Sequence, residues 1–402
     1  MCGIAGQIGE DAPKIESQFP VYCAMQESMR RRGPDQRGMY IGGNAALIHA
    51  RLCVVDIENG QQPMQLALGR RAFVLVYNGE LYNTDELRTA LSACGHKFKG
   101  HSDTEVLLHA YAEWGEGCVE KLNGIFAFAV WEKHARRLFV ARDRIGVKPF
   151  FYARRGHSFI FGSELKTLLC HPDIRPEIDA KGLAEVLFIG PGRTPGCGVF
   201  RGVQELLPGH CGYYDLTTNT FATRCYWRLT DHEHPDSFPR TVANVRDLVL
   251  DAITRQLVSD VPVCTFLSGG VDSSIISAVA DGYFSARGER LDTVSVGYKD
   301  NKRFFRESKF QPNADAPYIR KMNEALRARH HWVTLDTPQL VQALYAAVEA
   351  RDLPGMADVD SSLLLFCGEV KPLATVALSG ECADDTGKIG LIRKPLASGF
   401  YR

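Results

Sequence analysis

The chain has 402 residues, 45% hydrophobic and 23% charged, enough to bury separate cores in two domains. Its 47 Lys plus Arg balance 47 Asp plus Glu, and a net charge of +0 argues against a polyanion or a charged membrane surface as partner. No signal-peptide pattern opens the chain and no apolar run reaches the ~18 residues that span a bilayer, so the expectation is a cytoplasmic protein with no nucleic-acid or membrane partner. The 12 cysteines include no CxxC pair, which argues against a zinc site, and a cytoplasmic setting argues against a disulfide framework.

Residues 1 to about 217 read as short strands and hairpins with two or three helices, and residues beyond about 240 as alternating strand and helix. Cys2 opens Cys2-Gly3-Ile4-Ala5-Gly6, so removal of Met1 makes a thiol the first side chain. A free α-amine titrates near ~7.7–8.0, close to a thiol, and can take its proton on the same residue. Most cysteines are inert core filling, and on the dipeptide alone that reading is the favoured one. In His49-Ala50-Arg51-Leu52, Arg51 is by itself an ordinary arginine that is able to take a carboxylate bidentately. His49 reads as a strand residue.

Phe73–Tyr77 is an apolar, β-branched strand that runs into Asn78-Gly79-Glu80. Asn-Gly after a strand is ordinarily a type I′ hairpin turn. The chemical reading is that Asn78 and Gly79 offer a side-chain and a backbone N–H to one point, the layout of an oxyanion hole. In His101-Ser102-Asp103-Thr104-Glu105, Ser102 and Glu105 have capping-box spacing before a helix, and Asp103 is left to hold an ammonium group or to serve the helix dipole.

Taken in order, Cys2-Gly3-Ile4, Arg32-Gly33-Pro34-Asp35, Arg51-Leu52, Tyr77-Asn78-Gly79-Glu80 and Ser102-Asp103-Thr104-Glu105 resemble the motif set of class II glutamine amidotransferase domains. The resemblance implies an N-terminal-nucleophile αββα sandwich over residues 2–217 that hydrolyses the carboxamide of glutamine. Cys2 is then the nucleophile, Asn78 and Gly79 hold the oxyanion, and Arg51, Asn78, Glu80 and Asp103 bind glutamine.

Residues 218–240, with Asp231-His232-Glu233-His234-Pro235-Asp236-Ser237-Phe238-Pro239, read as a linker before an amphipathic helix starting near Val242. Val261–Leu267 is a buried strand that enters Ser268-Gly269-Gly270-Val271-Asp272-Ser273-Ser274 and then a helix. Strand, glycine turn, helix is an anion site, and Asp272 beside it points to Mg²⁺ between carboxylate and phosphate. A lone Ser-Gly-Gly is equally a plain capped turn. Later strands at Thr293–Gly297 and Ala374–Leu378 carry Val296 and deliver Ser379-Gly380-Glu381 to the same sheet edge.

The Ser-Gly-Gly-x-Asp-Ser pattern resembles the pyrophosphate loop of ATP pyrophosphatases, and the pair of domains resembles the glutamine-hydrolysing asparagine synthetase family. This implies a parallel-sheet α/β domain over residues 241–402 that binds ATP through Leu267, Ser268, Gly269, Gly270, Asp272, Ser273, Val296, Ser379 and Gly380. It further implies Glu381 as a catalytic acid and Asp272 and Asp384 as Mg²⁺ ligands. The substrates it implies are glutamine, aspartate and ATP, and a homodimer is compatible with the family. The reaction this resemblance implies has ammonia freed at Cys2 attack β-aspartyl-AMP.

From Asp385 the chain departs from the family: Thr386 to Arg402 contains four basic residues and no acid. The expectation is a frameshifted or truncated reading frame, a parallel sheet left with uncovered apolar surface, and, as alternatives to full synthesis, a glutaminase alone or a catalytically silent relic.

Overall fold

The computed structural model describes residues 1–306 and 313–381, and the chain divides into two compact units at Asp231/His232. The first unit runs β1 (Gly3–Gly9), α1 (Ala12–Ser17), α2 (Phe19–Ser28), β2 (Gln36–Gly42), β3 (Ala45–Arg51), β4 (Met64–Leu68) and β5 (Arg71–Leu81). It continues with α3 (Thr84–Ala93), α4 (Asp103–Trp114), α5 (Cys118–Lys121), β6 (Gly124–Glu132), β7 (Arg137–Arg142), β8 (Phe151–Arg155) and β9 (Ser158–Gly162). Last come α6 (Leu165–Leu169), α7 (Ala180–Ala184), β10 (Val203–Glu205), β11 (His210–Asp215) and β12 (Thr220–Cys225).

Two six-stranded antiparallel sheets result, β10-β8-β9-β1-β3-β2 and β12-β11-β7-β6-β5-β4. Strand alternation assigns their faces. Ile4, Ile8, Leu47, Phe159 and Phe161 of one sheet meet Val74, Val76, Ala127, Ala129 and Val140 of the other in a shared core. The next residues along β5, Phe73, Leu75 and Tyr77, point the other way, into a second core with Leu87 and Leu91 of α3 and Val106 to Tyr111 of α4. Helices α1, α2 and α6 pack against the first sheet, so the layering is the expected αββα sandwich.

Two expectations are corrected here. The first domain does not end at 217, because Thr220–Cys225 pairs antiparallel with β11 and completes a sheet edge, so the 218–240 linker includes a strand of this unit. Nor does Asn78-Gly79 form a turn. Asn78 pairs with Ala127 and Gly79 with Phe126 within β5, whose ladder to β6 continues to Leu81. A partner strand long enough to pair overrides the local turn propensity.

The second unit contains α8 (Phe238–Arg255), β13 (Val263–Phe266), α9 (Val271–Ser285), β14 (Asp292–Tyr298), α10 (Asn301–Phe304), α11 (Ala316–Ala325), β15 (Arg329–Leu335), α12 (Thr337–Arg351), α13 (Ala357–Val370) and β16 (Val376–Leu378). The helix expected near Val242 starts at Phe238, with Ser237 at its cap position and Pro239 in its first turn, where a missing N–H costs nothing. Among the described residues the sheet is four-stranded and parallel, in the order β15-β14-β13-β16. One face packs on Ile253 of α8, Leu257 just beyond it and Ala280 of α9, the other on Phe366 and Val370 of α13. The centre of this sheet is covered, by α8 and α9 on one side and α13 on the other, while the expected uncovered apolar surface is present at the edge strand β15, whose Trp332 is exposed. Exposed apolar side chains lie on the helices, such as Leu248 on α8 and Tyr345 on α12, and also on the sheet, with Tyr298 on β14 and Trp332 on the edge strand β15.

Candidate active site

Period-two alternation carries the intersheet face beyond its apolar core at one end of the sandwich. On β5 the set Val74, Val76 continues as Asn78 and Glu80; on β3 Leu47 continues as His49 and Arg51; and Ile4 of β1 is preceded by Cys2. One end of the intersheet space therefore collects a thiol, an amide, an imidazole, a guanidinium and a carboxylate. The Cys2 thiol lies 3.6 Å from the Leu52 carbonyl, and the Arg32 Nε donates to the Cys2 carbonyl at 2.9 Å. Burial pushes the Cys2 thiol up and pulls the amine of Met1, which precedes it, down from 8.0 to about 6.

Asn78 is 1% exposed, and its Nδ2 is buried without a hydrogen-bond partner. A buried amide N–H left unpaired costs stability, and such groups are few in folded proteins. The neighbouring backbone agrees with this. Tyr77 N–H donates to Gln62 Oε1 at 2.6 Å rather than to β6, and two residues later the Gly79 N–H points the same way. A Cβ on Gly79 would sit 2.4 Å from the Ile125 carbonyl, so this position requires glycine.

Asp103 is the first residue of α4, and its Oδ2 accepts from Tyr77 Oη at 2.8 Å and from Leu81 N at 3.2 Å. Burial raises its pKa. Glu80 is pushed up to about 8, by burial first and then by Asp103. The two carboxyls thus hold a proton between them at neutral pH, and an added cation favours its release. His49 Nε2 donates to the Tyr77 carbonyl at 3.2 Å, and burial lowers its pKa to about 3. It is a strand residue that stays neutral, as expected, and not a general base.

Arg51 departs from the expected free fork. Its Nη1 donates to Gln36 Oε1 at 2.7 Å and the Ile57 carbonyl at 3.0 Å, and its Nη2 to the carbonyls of Val55 at 3.0 Å and Asp56 at 2.7 Å. These terminal N–H groups hold the loop after β3, which leaves Nε as the donor for a ligand. The capping box is half formed. Ser102 Oγ accepts from Glu105 N at 3.3 Å, but Glu105 takes the N–H groups of Lys99 and Gly100, and Ser102 N donates to Asp56.

Three contributors escaped sequence reasoning. Arg32 was visible only as part of a motif, Gln62 had no local signal, and Lys148 sits in a turn. Lys148 is buried, which lowers its pKa, and it faces Glu80, Arg32 and Cys2 electrostatically. Its position comes from Asp143, which accepts the Val147 and Lys148 N–H groups, and from Arg142, which donates to the Lys148 carbonyl.

In the second unit, Gly269 has φ +82° and lets the chain turn from β13 into α9. Ser268 Oγ and Ser273 Oγ lie 2.9 Å apart and Ser273 Oγ donates to the Gly270 carbonyl, so the hydroxyls expected as phosphate donors brace the loop. Leu267 N–H is used by Val294, and Val296 stands half-buried on the adjacent strand. A Cβ on Gly380 would meet Asp272 Cβ at 2.9 Å, so Ser379-Gly380 does arrive at this turn, with Glu381 exposed just beyond and its N–H donating to Ser379. Asp272 in the first turn of α9 suits a hard cation shared with phosphates. Asp384 lies outside the described residues, within which no three His, Cys, Asp or Glu side chains form a metal cluster.

Residues 1–227 match the family described as glutamine amidotransferase domain. The chain belongs to that family. Residues 244–386 of this amidotransferase match a second family, described as asparagine synthase. It is 50% identical to asparagine synthetase [glutamine-hydrolyzing] 3 of Bacillus subtilis over 96% of this chain and 62% of that relative. It is 31% identical to the putative asparagine synthetase [glutamine-hydrolyzing] 2 of Methanocaldococcus jannaschii over 82% of this chain and 64% of that one. The chain thus spans less than two thirds of the length of these relatives. A solved glutamine phosphoribosylpyrophosphate amidotransferase from B. subtilis aligns at 16% identity with a TM-score of 0.42, over 83% of this chain and 81% of that structure, below the level that bears on fold. No helix among the described residues is long and apolar enough to cross a membrane.

Proposed function

We propose that this amidotransferase makes asparagine from aspartate with glutamine as nitrogen donor and ATP as the activating substrate. The observation that carries the glutaminase half is the buried, unpartnered Nδ2 of Asn78 on the face that Cys2 shares. The α-amine of Cys2, once Met1 is removed, takes the thiol proton, and sulfur attacks the glutamine carboxamide. Asn78 Nδ2 and the Gly79 N–H hold the oxyanion of the tetrahedral adduct. Ammonia leaves, and water releases glutamate from the thioester. The ammonium group of glutamine belongs against Asp103 and Glu80, and its carboxylate at the Arg51 end.

The synthetase half is supported by the asparagine synthase match and by the turn built from Ser268, Gly269, Gly270 and Ser273. The aspartate side-chain carboxylate attacks the α-phosphorus of ATP, pyrophosphate leaves, and ammonia displaces AMP from the aspartyl adenylate. Mg²⁺, held by Asp272, would neutralise phosphate charge. Glu381 is assigned to the acid role beside the adenylate, and Val296 to the adenine side. A cytoplasmic location and a homodimer accompany this reading. Glutamate release by the purified chain tests it, with Cys2→Ala as the control; glutamine turnover by that variant would refute the nucleophile.

A further inference from the structure

The loop held by Arg51 and the start of α4 are separate in sequence, yet one carboxylate joins them. Asp56 is 2% exposed and has φ +50°, a left-handed conformation that Asp tolerates better than most residues. Its Oδ1 accepts from Asn59 N at 3.0 Å and Asn59 Nδ2 at 3.1 Å. Its Oδ2 accepts from His101 N at 2.6 Å and Ser102 N at 3.0 Å, with His101 Nδ1 at 3.5 Å. Its carbonyl accepts from Arg51 Nη2 at 2.7 Å and Gly60 N at 2.9 Å. Burial alone would raise its pKa, but the N–H groups of Asn59 and His101 outweigh that and hold the carboxyl below its ordinary range.

We propose that Asp56 is the positioning residue of the glutamine site, tying the Arg51 loop to the Ser102-Asp103 helix start so that the carboxylate-binding and ammonium-binding ends stand one amino acid apart. The inference rests on the glutaminase reading above. Asp56 touches no reacting atom. Its carboxylate sets the distance between two groups that do meet the substrate, and charge-assisted bonds to several N–H groups make that setting stiff. Without it, Arg51 still holds the loop carbonyls, Tyr77 still holds Asp103 and Gln62 Nε2 still donates to Thr104 Oγ1 at 3.3 Å, but the charge-assisted tie between the two substrate-binding ends is lost. Substrate binding then weakens while the Cys2–Asn78 machinery, on β1 and β5, is untouched.

Two variants address this from opposite sides. Asp56→Asn keeps the shape but turns an N–H₂ toward N–H donors. Gly100→Ala places a methyl 2.1 Å from Asp56 Oδ2 and disturbs the same carboxylate from across the contact. Each is purified as the full chain and assayed for glutamate release, for melting temperature and for alkylation of Cys2 by iodoacetamide, a small reagent that needs neither grip. In both variants the glutamine KM should rise by about tenfold or more, the size of a lost hydrogen bond to a charged group, with kcat within a few-fold and alkylation unchanged. A wild-type KM in folded variants overturns the inference. So does a parallel fall of kcat, alkylation and melting temperature, which marks a merely structural residue. Absence of glutamine turnover in the unsubstituted chain overturns the functional reading and this inference together.

Discussion

Tyr77 donates its hydroxyl to Asp103 at 2.8 Å, so the strand that carries Asn78 and the helix that begins at Asp103 are joined at the carboxylate assigned to the substrate ammonium group. The same bond keeps Asp103 supplied with donors while Glu80, pushed up to about 8 by burial and by Asp103, retains the proton.

That arrangement has a pH signature. Glu80 holds its proton in the folded chain to about pH 8 but loses it near the ordinary carboxylate range when unfolded. The folded state therefore binds more protons in between, and stability falls as pH rises through that window. The melting temperature of the apo chain should fall from pH 5 to 8, and Glu80→Gln should flatten that slope. Glutamine, which brings a cation, should bind more tightly as pH approaches 8. Equal pH slopes for melting in the two proteins would show that Glu80 is not the group.

Asn78→Ala separates function from stability. The amide N–H makes no bond in the folded chain, so its removal relieves an unpaired buried donor. Glutaminase kcat should drop by about 10²–10³, the usual loss for one oxyanion donor, with little or no fall in melting temperature. An unchanged kcat would return Asn78 to a strand residue without chemistry. A large loss of stability would mean that its amide has a structural partner.

Gly79→Ala should behave oppositely. Its Cβ would lie 2.4 Å from the Ile125 carbonyl and 2.5 Å from Tyr77 Cε2, inside the β5–β6 ladder. The expected result is a protein that melts earlier and loses glutaminase together with its fold, read by thermal denaturation beside the activity assay. A variant with wild-type melting would show that the ladder opens to admit the methyl group.

What was legible in the sequence follows from how local each signal is. Cys2, Asn78, Gly79 and Asp103 were found because each motif contains its own chemistry, and Ser268 to Ser274 because strand, glycine turn and helix are contiguous. Whether Asn-Gly turned or continued was not local, since the answer lay in β6, over 40 residues later. Arg51 read as a free fork because its partners are backbone carbonyls, which every residue owns and no sequence pattern marks. Asp56 was invisible for the same reason: its partners are main-chain N–H groups near 59 and 101. The domain boundary was missed because Thr220–Cys225 is a half-exposed edge strand with little apolar alternation.

The second unit has a test that leaves the first as its own control. Gly269 has φ +82°, and a Cβ there would lie 2.9 Å from Tyr318 Cβ and 3.0 Å from Ile319 N, so Gly269→Ala strains both the backbone and its packing at the turn. Gly380→Ala presses a methyl onto Asp272 and the Ser273 N–H from the neighbouring strand. If this turn cradles the phosphates of ATP, both variants should lose aspartate-dependent pyrophosphate release while glutamine hydrolysis at Cys2 continues, because Cys2 and Asn78 belong to the other unit. The assay follows pyrophosphate from labelled ATP, with and without aspartate and glutamine, alongside glutamate release in the same tubes. Release that survives both substitutions would move the nucleotide away from Ser268–Ser274. Glutamate release with no pyrophosphate from the unsubstituted 402-residue chain would confine its activity to the glutaminase, and the adenylate step would then have to be withdrawn.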